Sequence, residues 1–169
     1  MVVGGLDISL INFRGALMRE MVNAQCEVIA TAPLQSPDVP KQLLAMGVRF
    51  VPVALARAGL NPLVDLTTAW RLNRLFQSER PDVVLSYTIK PVIYGSLAAY
   101  WAGVPRIYAL ITGLGAAFYS PGLRGWFLRF VAVTMYRLAA RRCAKVFVQN
   151  QEIAELFIRS RIAPAAKII

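Results

Sequence analysis

Thr88, Lys90, Thr112, Gly113 and Gly115 stand in two short segments, each placed directly after an apolar run. A lysine and a threonine can hold a phosphate, one by charge and one by hydroxyl donation. Thr112-Gly113-Leu114-Gly115 can bring bare backbone N–H groups close to an anion, because glycine puts no side chain in the way. Asp7 and Arg14 follow the Gly4-Gly5 pair near the N-terminus. Asp7 offers a base or a group that orients a hydroxyl, with loop capping as its plainer role. Arg14 offers a second cation. The stretch GGLDISL is neither GxGxxG nor a Walker A loop, so anion binding there would rest on the free N–H groups of a helix start. The chain contains no histidine. Histidine-based triads, histidine metal sites and an imidazole base are therefore excluded. Cys26 and Cys143 lack metal-ligand spacing, no metal site is expected, and both cysteines read as reduced packing residues. No nucleophile–base pair is visible. The set describes a binding surface for an anion.

Such a surface needs elements that bring distant segments together. Val83-Val84-Leu85 is a short buried strand, followed by the polar loop Ser86–Pro91 and a helix that runs from Pro91 to Trp101. Pro91 suits the first helical turn, where its missing N–H costs nothing, and Gly103 with Pro105 ends the helix. Arg106–Ile111 is the next strand. This is a βαβ unit with parallel strands and a right-handed crossover, so both polar loops leave the carboxyl ends of their strands. Met1-Val2-Val3 reads as the tail of a first strand. Phe13, Leu17, Met21 and Val22 predict a helix with an apolar stripe. Strands follow at Val28–Ala32, Val48–Val53 and Lys145–Val148. Helices follow at Val39–Met46, Leu63–Gln77, Leu123–Arg142 and Gln151–Ser160, and Arg57–Pro62 is a loop. On the Leu63–Gln77 helix, Leu66, Trp70, Leu72, Leu75 and Phe76 are expected on or near one face. The expectation is an α/β fold, a doubly wound Rossmann-like parallel sheet, in one domain over residues 1–169.

The apolar fraction is 57%, above that of an ordinary soluble domain, which points to a large core, a membrane contact or an absent partner surface. The net charge is +10, and between Asp82 and Glu152 there is no acidic residue but eight basic ones. An anionic partner follows: substrate phosphates, a lipid surface or nucleic acid. Nucleic acid fits least, because the bases sit on an apolar helix and not on a strip interleaved with stacking aromatics. The Leu123–Arg142 helix is apolar nearly all round. It reads as a buried domain helix, as a helix lying on a membrane, or as a partner surface. In the membrane reading Trp126, Phe127 and Phe130 insert and Arg124 and Arg129 meet headgroups. No stretch reads as a signal peptide or a good spanning helix.

A series of motifs runs through nearly the whole chain: Asn12-Phe13-Arg14-Gly15, Gly47-Val48-Arg49-Phe50, Gly59-Leu60-Asn61-Pro62, Arg80-Pro81-Asp82-Val83-Val84, Tyr87-Thr88-Ile89-Lys90-Pro91, Ile93-Tyr94-Gly95-Ser96, Gly103-Val104-Pro105, Ile111-Thr112-Gly113-Leu114-Gly115 and Phe147-Val148-Gln149-Asn150. In this order they resemble the N-terminal domain of glycosyltransferase family 4, with the GT-B fold, in the branch acting on polyprenyl-diphosphate-linked sugars of bacterial surface polysaccharides. The resemblance implies a retaining transfer from a nucleotide-sugar, UDP-linked, to a lipid-carried glycan acceptor. It implies no cofactor and no metal, the nucleotide-sugar being a co-substrate. The acceptor's diphosphate would lie against Asp7, Arg14, Gly15, Thr88, Lys90, Thr112, Gly113 and Gly115, while the donor would sit mainly on a C-terminal domain that this chain lacks. A cytoplasmic protein, peripheral at the inner face of the cell membrane, is expected. The competing expectation is a non-catalytic membrane-docking subunit that recruits a separate donor-domain chain. A small flavodoxin-like nucleotide-binding protein rests on fold alone.

Overall fold

The computed structural model describes residues 1–55, 62–115, 118 and 121–169. The predicted loop from Arg57, and the Gly59-Leu60-Asn61 motif within it, lie outside the described residues. Among the described residues six strands form one sheet: β1 (Val2–Val3), β2 (Val28–Thr31), β3 (Val48–Phe50), β4 (Val83–Tyr87), β5 (Arg106–Ile111) and β6 (Lys145–Val148). Their order is β3-β2-β1-β4-β5-β6 and every pairing is parallel. The helices are α1 (Asp7–Asn23), α2 (Val39–Ala45), α3 (Pro62–Glu79), α4 (Ser96–Trp101), α5 (Gly122–Arg142) and α6 (Gln151–Arg159). A π-helical turn, Pro91–Gly95, leads into α4. The doubly wound α/β sheet expected from the sequence is the fold found.

Why these segments form strands is visible in β1. Val2 packs into one apolar cluster and Val3 into another, so neither face of the sheet meets water. Such strands read as continuous apolar runs, not as alternation. The α1 and α2 helices pack together, and α3, α4 and α5 pack side by side in a second layer. Right-handed crossovers put these two layers on opposite faces. The order of strands reverses between β1 and β4. Loops leaving those two strands diverge there and open a crevice at the carboxyl edge of the sheet.

Several expectations change. Ser86 and Tyr87 belong to β4, not to the loop after it. On α1, Phe13 is 70% exposed and Leu17 is exposed too, whereas Leu10 and Met18 are buried. On α3, Trp70 is 60% exposed and Leu66 also faces out. The buried stripe there is Asp65, Thr68, Ala69, Leu72 and Phe76, a helical spacing that includes two polar residues. Cys26 is exposed; only Cys143 is a packing cysteine.

The α5 helix divides. Tyr136, Ala139 and Ala140 are buried, while Leu123, Trp126, Phe127 and Phe130 are exposed. The reason is length. At 21 residues α5 is about 31 Å long, while the six residues of β5 span about 20 Å. Ala144, just past α5, donates its N–H to Ile107 O near the start of β5, so the end of α5 is tied to the amino edge. Its first turns therefore run beyond the carboxyl edge, where there is no sheet to cover them. Among the described residues, no helix is long and apolar enough to cross a membrane.

Candidate functional site

The switch point between β1 and β4 holds an open pocket of about 520 Å³. Arg14, Thr88, Lys90 and Thr112 all line it, as do Gly5, Leu6, Ser9 and Phe13 from the α1 side and Gln149 from the end of β6. The sequence thus brings together four of the residues proposed from it. Asp7, Gly15, Gly113 and Gly115 are not among the lining residues.

Asp7 has another task. It is 1% exposed. Its Oδ2 accepts the N–H groups of Gln35 at 2.6 Å and Ser36 at 2.7 Å, and Oδ1 accepts that of Ile8 at 2.8 Å. Burial alone would raise its pKa, but these backbone donors outweigh it and hold the carboxyl below the usual aspartate value. Asp7 therefore fastens the start of α1 to the loop after β2. Gly15 faces Met46, so it serves packing rather than the pocket. Gly115 has φ +75°, and a Cβ there would collide with the side chain of Ile89, itself a lining residue. Its role is to let the β5 loop pass close behind the pocket wall.

Arg14 is the half-buried cation of the site. Its guanidinium lies over the Tyr87 ring at 4.9 Å from the centroid, and Nη1 donates to Phe13 O at 2.7 Å. Its buried Nε has no hydrogen-bond partner. A cation stacked on an aromatic face keeps its in-plane donors free for an anion. Tyr87 is itself held in place. Ser9 Oγ donates to Leu6 O at 2.6 Å, so its contact of 2.7 Å with Tyr87 is one in which the phenol donates. Burial pushes the Tyr87 phenol up, and the ring stays neutral. Gly4 is needed beside it, since a Cβ at that position would lie 2.5 Å from the phenol oxygen.

Lys90 is not the free loop lysine expected. It is helical, and Nζ forms an ion pair with Asp65 Oδ1 at 2.7 Å. Asp65 is 4% exposed, and its Oδ2 accepts the Tyr94 hydroxyl at 2.9 Å. Burial and the bond to Asp65 push the Tyr94 phenol well above its ordinary value, so it acts only as a donor. Lys90 has three N–H donors and Asp65 takes one, which leaves two for the pocket. Asp65 and Tyr94 were missed as site residues. A lone carboxylate at a buried position of the α3 stripe was the available signal, since a buried charge needs a partner.

Two backbone features complete the site. Leu6 occupies the N-cap of α1 and offers no capping side chain, Asp7 takes up the Ile8 N–H, and Gly5, Leu6 and Ser9 put the helix N-terminus at the pocket. The partial positive charge of this 17-residue helix, offset in part by the Asp7 carboxylate in its first turn, adds to that of Arg14 and of the Asp65-paired Lys90. Thr88 has φ +66°, a strained backbone for a β-branched residue. Its Oγ1 lies where a Cβ on Gly5 would come within 3.0 Å. The arrangement can bind an anionic group at the carboxyl edge. It holds no nucleophile paired with a base.

The family model described as "Glycosyl transferase 4-like domain" matches residues 13–169. A curated relative from Campylobacter jejuni, N,N'-diacetylbacillosaminyl-diphospho-undecaprenol alpha-1,3-N-acetylgalactosaminyltransferase, is 28% identical over 90% of this chain and 40% of its own length. The chain thus spans less than half of that protein. Among solved structures, Anabaena HepE in complex with UDP and glucose superposes with a TM-score of 0.67 at 13% identity, covering 99% of this chain and 42% of that one. The UDP-GlcNAc 2-epimerase from Neisseria meningitidis gives 0.65 at 16%, covering 99% and 45%. These two likenesses, at 13% and 16% identity, show the fold alone.

Proposed function

Because the chain belongs to the glycosyl transferase 4-like family, we propose that it forms the acceptor-side half of a glycosyltransferase acting on a polyprenyl-diphosphate-linked sugar. The pocket at the β1/β4 switch point is the seat of the acceptor's diphosphate. The observation that carries this reading is Arg14. It is stacked on Tyr87, has an unpartnered Nε, and faces a pocket to which Lys90 and the α1 N-terminus add positive charge. The Campylobacter relative, by its name, acts on an undecaprenyl-diphosphate-linked sugar, which is the chemistry such a pocket suits.

In this reading the donor is a nucleotide-sugar, UDP-linked, held by a second domain outside these residues. Transfer retains configuration. The bond between the sugar's C1 and the donor diphosphate breaks, the acceptor hydroxyl oxygen bonds to C1, and its proton passes to the leaving diphosphate. That route asks for no imidazole and no metal, only for donors that stabilise developing charge. Arg14 and Lys90 orient the acceptor for this step. The first turns of α5 meet the membrane that carries the acceptor, with Trp126, Phe127 and Phe130 inserted and Arg124 and Arg129 at headgroup level. Leu123, Trp126, Phe127 and Phe130 fall within an arc of about 100° on the helix, which is the geometry of a helix lying in an interface.

The test uses the polypeptide that contains both halves. Arg14→Gln is expected to raise the KM for the lipid-diphosphate acceptor at least tenfold and to leave the KM for the nucleotide-sugar unchanged. An equal rise for both substrates, or none, would overturn the assignment of the pocket to the acceptor.

A further inference from the structure

The exposed apolar stripe on α3 is not used by the pocket. Leu66 and Trp70 lie on the exposed flank of α3, about 100° and 140° round the helix from Asp65 in its buried stripe of Asp65, Thr68, Ala69, Leu72 and Phe76. The same relation holds on α5, where the exposed apolar residues lie opposite Gly125, Tyr136, Ala139 and Ala140. Both helices belong to the layer on one face of the sheet, with α4 between them. Both also begin at the carboxyl edge, since each follows a strand of a parallel sheet. Two apolar ridges therefore point the same way, at the same end of the molecule. Farther along each helix the outward positions are mostly polar, Arg74 and Gln77 on α3 and Arg141 and Arg142 on α5, with Leu138 an exposed apolar exception.

We infer that Leu66 and Trp70 form a second membrane seat, and that α3 and α5 together set this chain on an anionic bilayer by two separated contacts. This rests on the reading that the acceptor is lipid-borne. Charge decides for a lipid surface. Both carboxylates of α3 are already in ion pairs, Asp65 with Lys90 and Glu79 with Arg49. From residue 83 to residue 151 there is no acidic residue at all. Arg74 lies over the Trp70 ring, 5.5 Å from its centroid, so an indole in the acyl boundary would have its guanidinium at the headgroups. A flat surface touches both ridges at once and fixes the tilt of the sheet. Contact through α5 alone would leave the chain free to pivot about one helix. With two seats the carboxyl edge, and the pocket on it, stays at the bilayer.

The three tryptophans of the chain make the test direct. Trp70 is on α3, Trp126 on α5, and Trp101 closes α4 at the opposite, amino edge. Three single-tryptophan variants are made by Trp→Phe changes at the other two positions. Each is mixed with phosphatidylglycerol vesicles whose acyl chains carry bromine. Trp70 and Trp126 are expected to be quenched and Trp101 to be unaffected. Quenching of Trp126 without Trp70 would overturn the second seat while leaving the membrane reading of α5 intact. Failure of all three, with no vesicle binding on flotation, would remove both. Equal quenching of Trp101 would mean unoriented adsorption and would also overturn the inference. As a second readout, the double variant L66S/W70S is expected to lower vesicle partitioning at least tenfold with its fold unchanged, because both side chains are exposed. Partitioning equal to that of the unmodified chain would contradict the proposal.

Discussion

The halves of the helices nearest the carboxyl edge are built differently from the halves that lie deeper on the sheet. On the sheet, α3 buries Leu72 and Phe76, α5 buries Tyr136 and α1 buries Met18, with charged residues such as Arg19 and Arg141 outside. At the carboxyl edge the polar groups are inside: Asp7 and Ser9 on α1, Asp65 and Thr68 on α3. The large apolar side chains are outside: Phe13, Leu66, Trp70, Trp126 and Phe130. Stability favours the first arrangement, since apolar burial drives folding and buried carboxylates must be compensated. The inversion on α1 and α3, with the apolar outer face of α5 beside it, marks the part of the molecule shaped for binding rather than for folding.

The comparison breaks or holds on substitution. Tyr136→Ala, in the sheet-packed half of α5, is expected to destabilise by about 3–5 kcal/mol, as large-to-small core changes do. Urea denaturation would measure it, and a cost near zero would mean that the two halves of α5 do not differ. Asp65→Ala should cost about 3 kcal/mol, because it leaves Lys90 without its partner in a mostly buried place. It should also weaken binding of a diphosphate ligand, seen by titration calorimetry, because the Lys90 ammonium loses its fixed position.

Asp7→Asn should cost about 2 kcal/mol at neutral pH, the loss of charge on a group that accepts several backbone N–H bonds. The sign of its pH dependence follows from its depressed pKa. The stability Asp7 gives is fully present above the ordinary aspartate value of about 3.9. It is lost as the pH falls from there through the lower folded value. Denaturation midpoints of the parent chain should thus approach those of Asp7→Asn below pH 4, and a constant gap down to the lowest pH would refute the tie. Smallest of all, Phe130→Ser should change stability by no more than about 0.5 kcal/mol. A cost of core size would show that the overhanging half of α5 is packed after all.

The sheet was legible in the sequence because its strands announce themselves. Val83–Leu85, Arg106–Ile111 and Lys145–Val148 are apolar runs bounded by turn residues, and parallel strands buried on both faces have that form. The direction in which helices face was less legible, for one physical reason. Phe13 and Leu17 on α1, and Leu66 and Trp70 on α3, have the helical spacing that marks one apolar face. Periodicity finds a stripe but not its direction, and at the carboxyl edge the stripe points out. For the pocket, the cations and the strained Thr88 loop could be placed by strand order alone. The partners could not: Asp65 is 25 residues from Lys90, and Ser9 is 78 from Tyr87. Pairs so distant meet only through the packing of α3 on the π-helical turn, and of α1 on β4.

The claim that the carboxyl-edge pocket seats a diphosphate is tested most directly by comparing two ligands that differ by one phosphate. The chain in detergent micelles would be titrated with a short-chain polyprenyl-diphosphate sugar and with the matching monophosphate, each against Arg14→Gln. The account predicts tighter binding of the diphosphate by at least tenfold, and loss of that advantage in Arg14→Gln. Equal affinity for both ligands, or a preference that survives without Arg14, would contradict it.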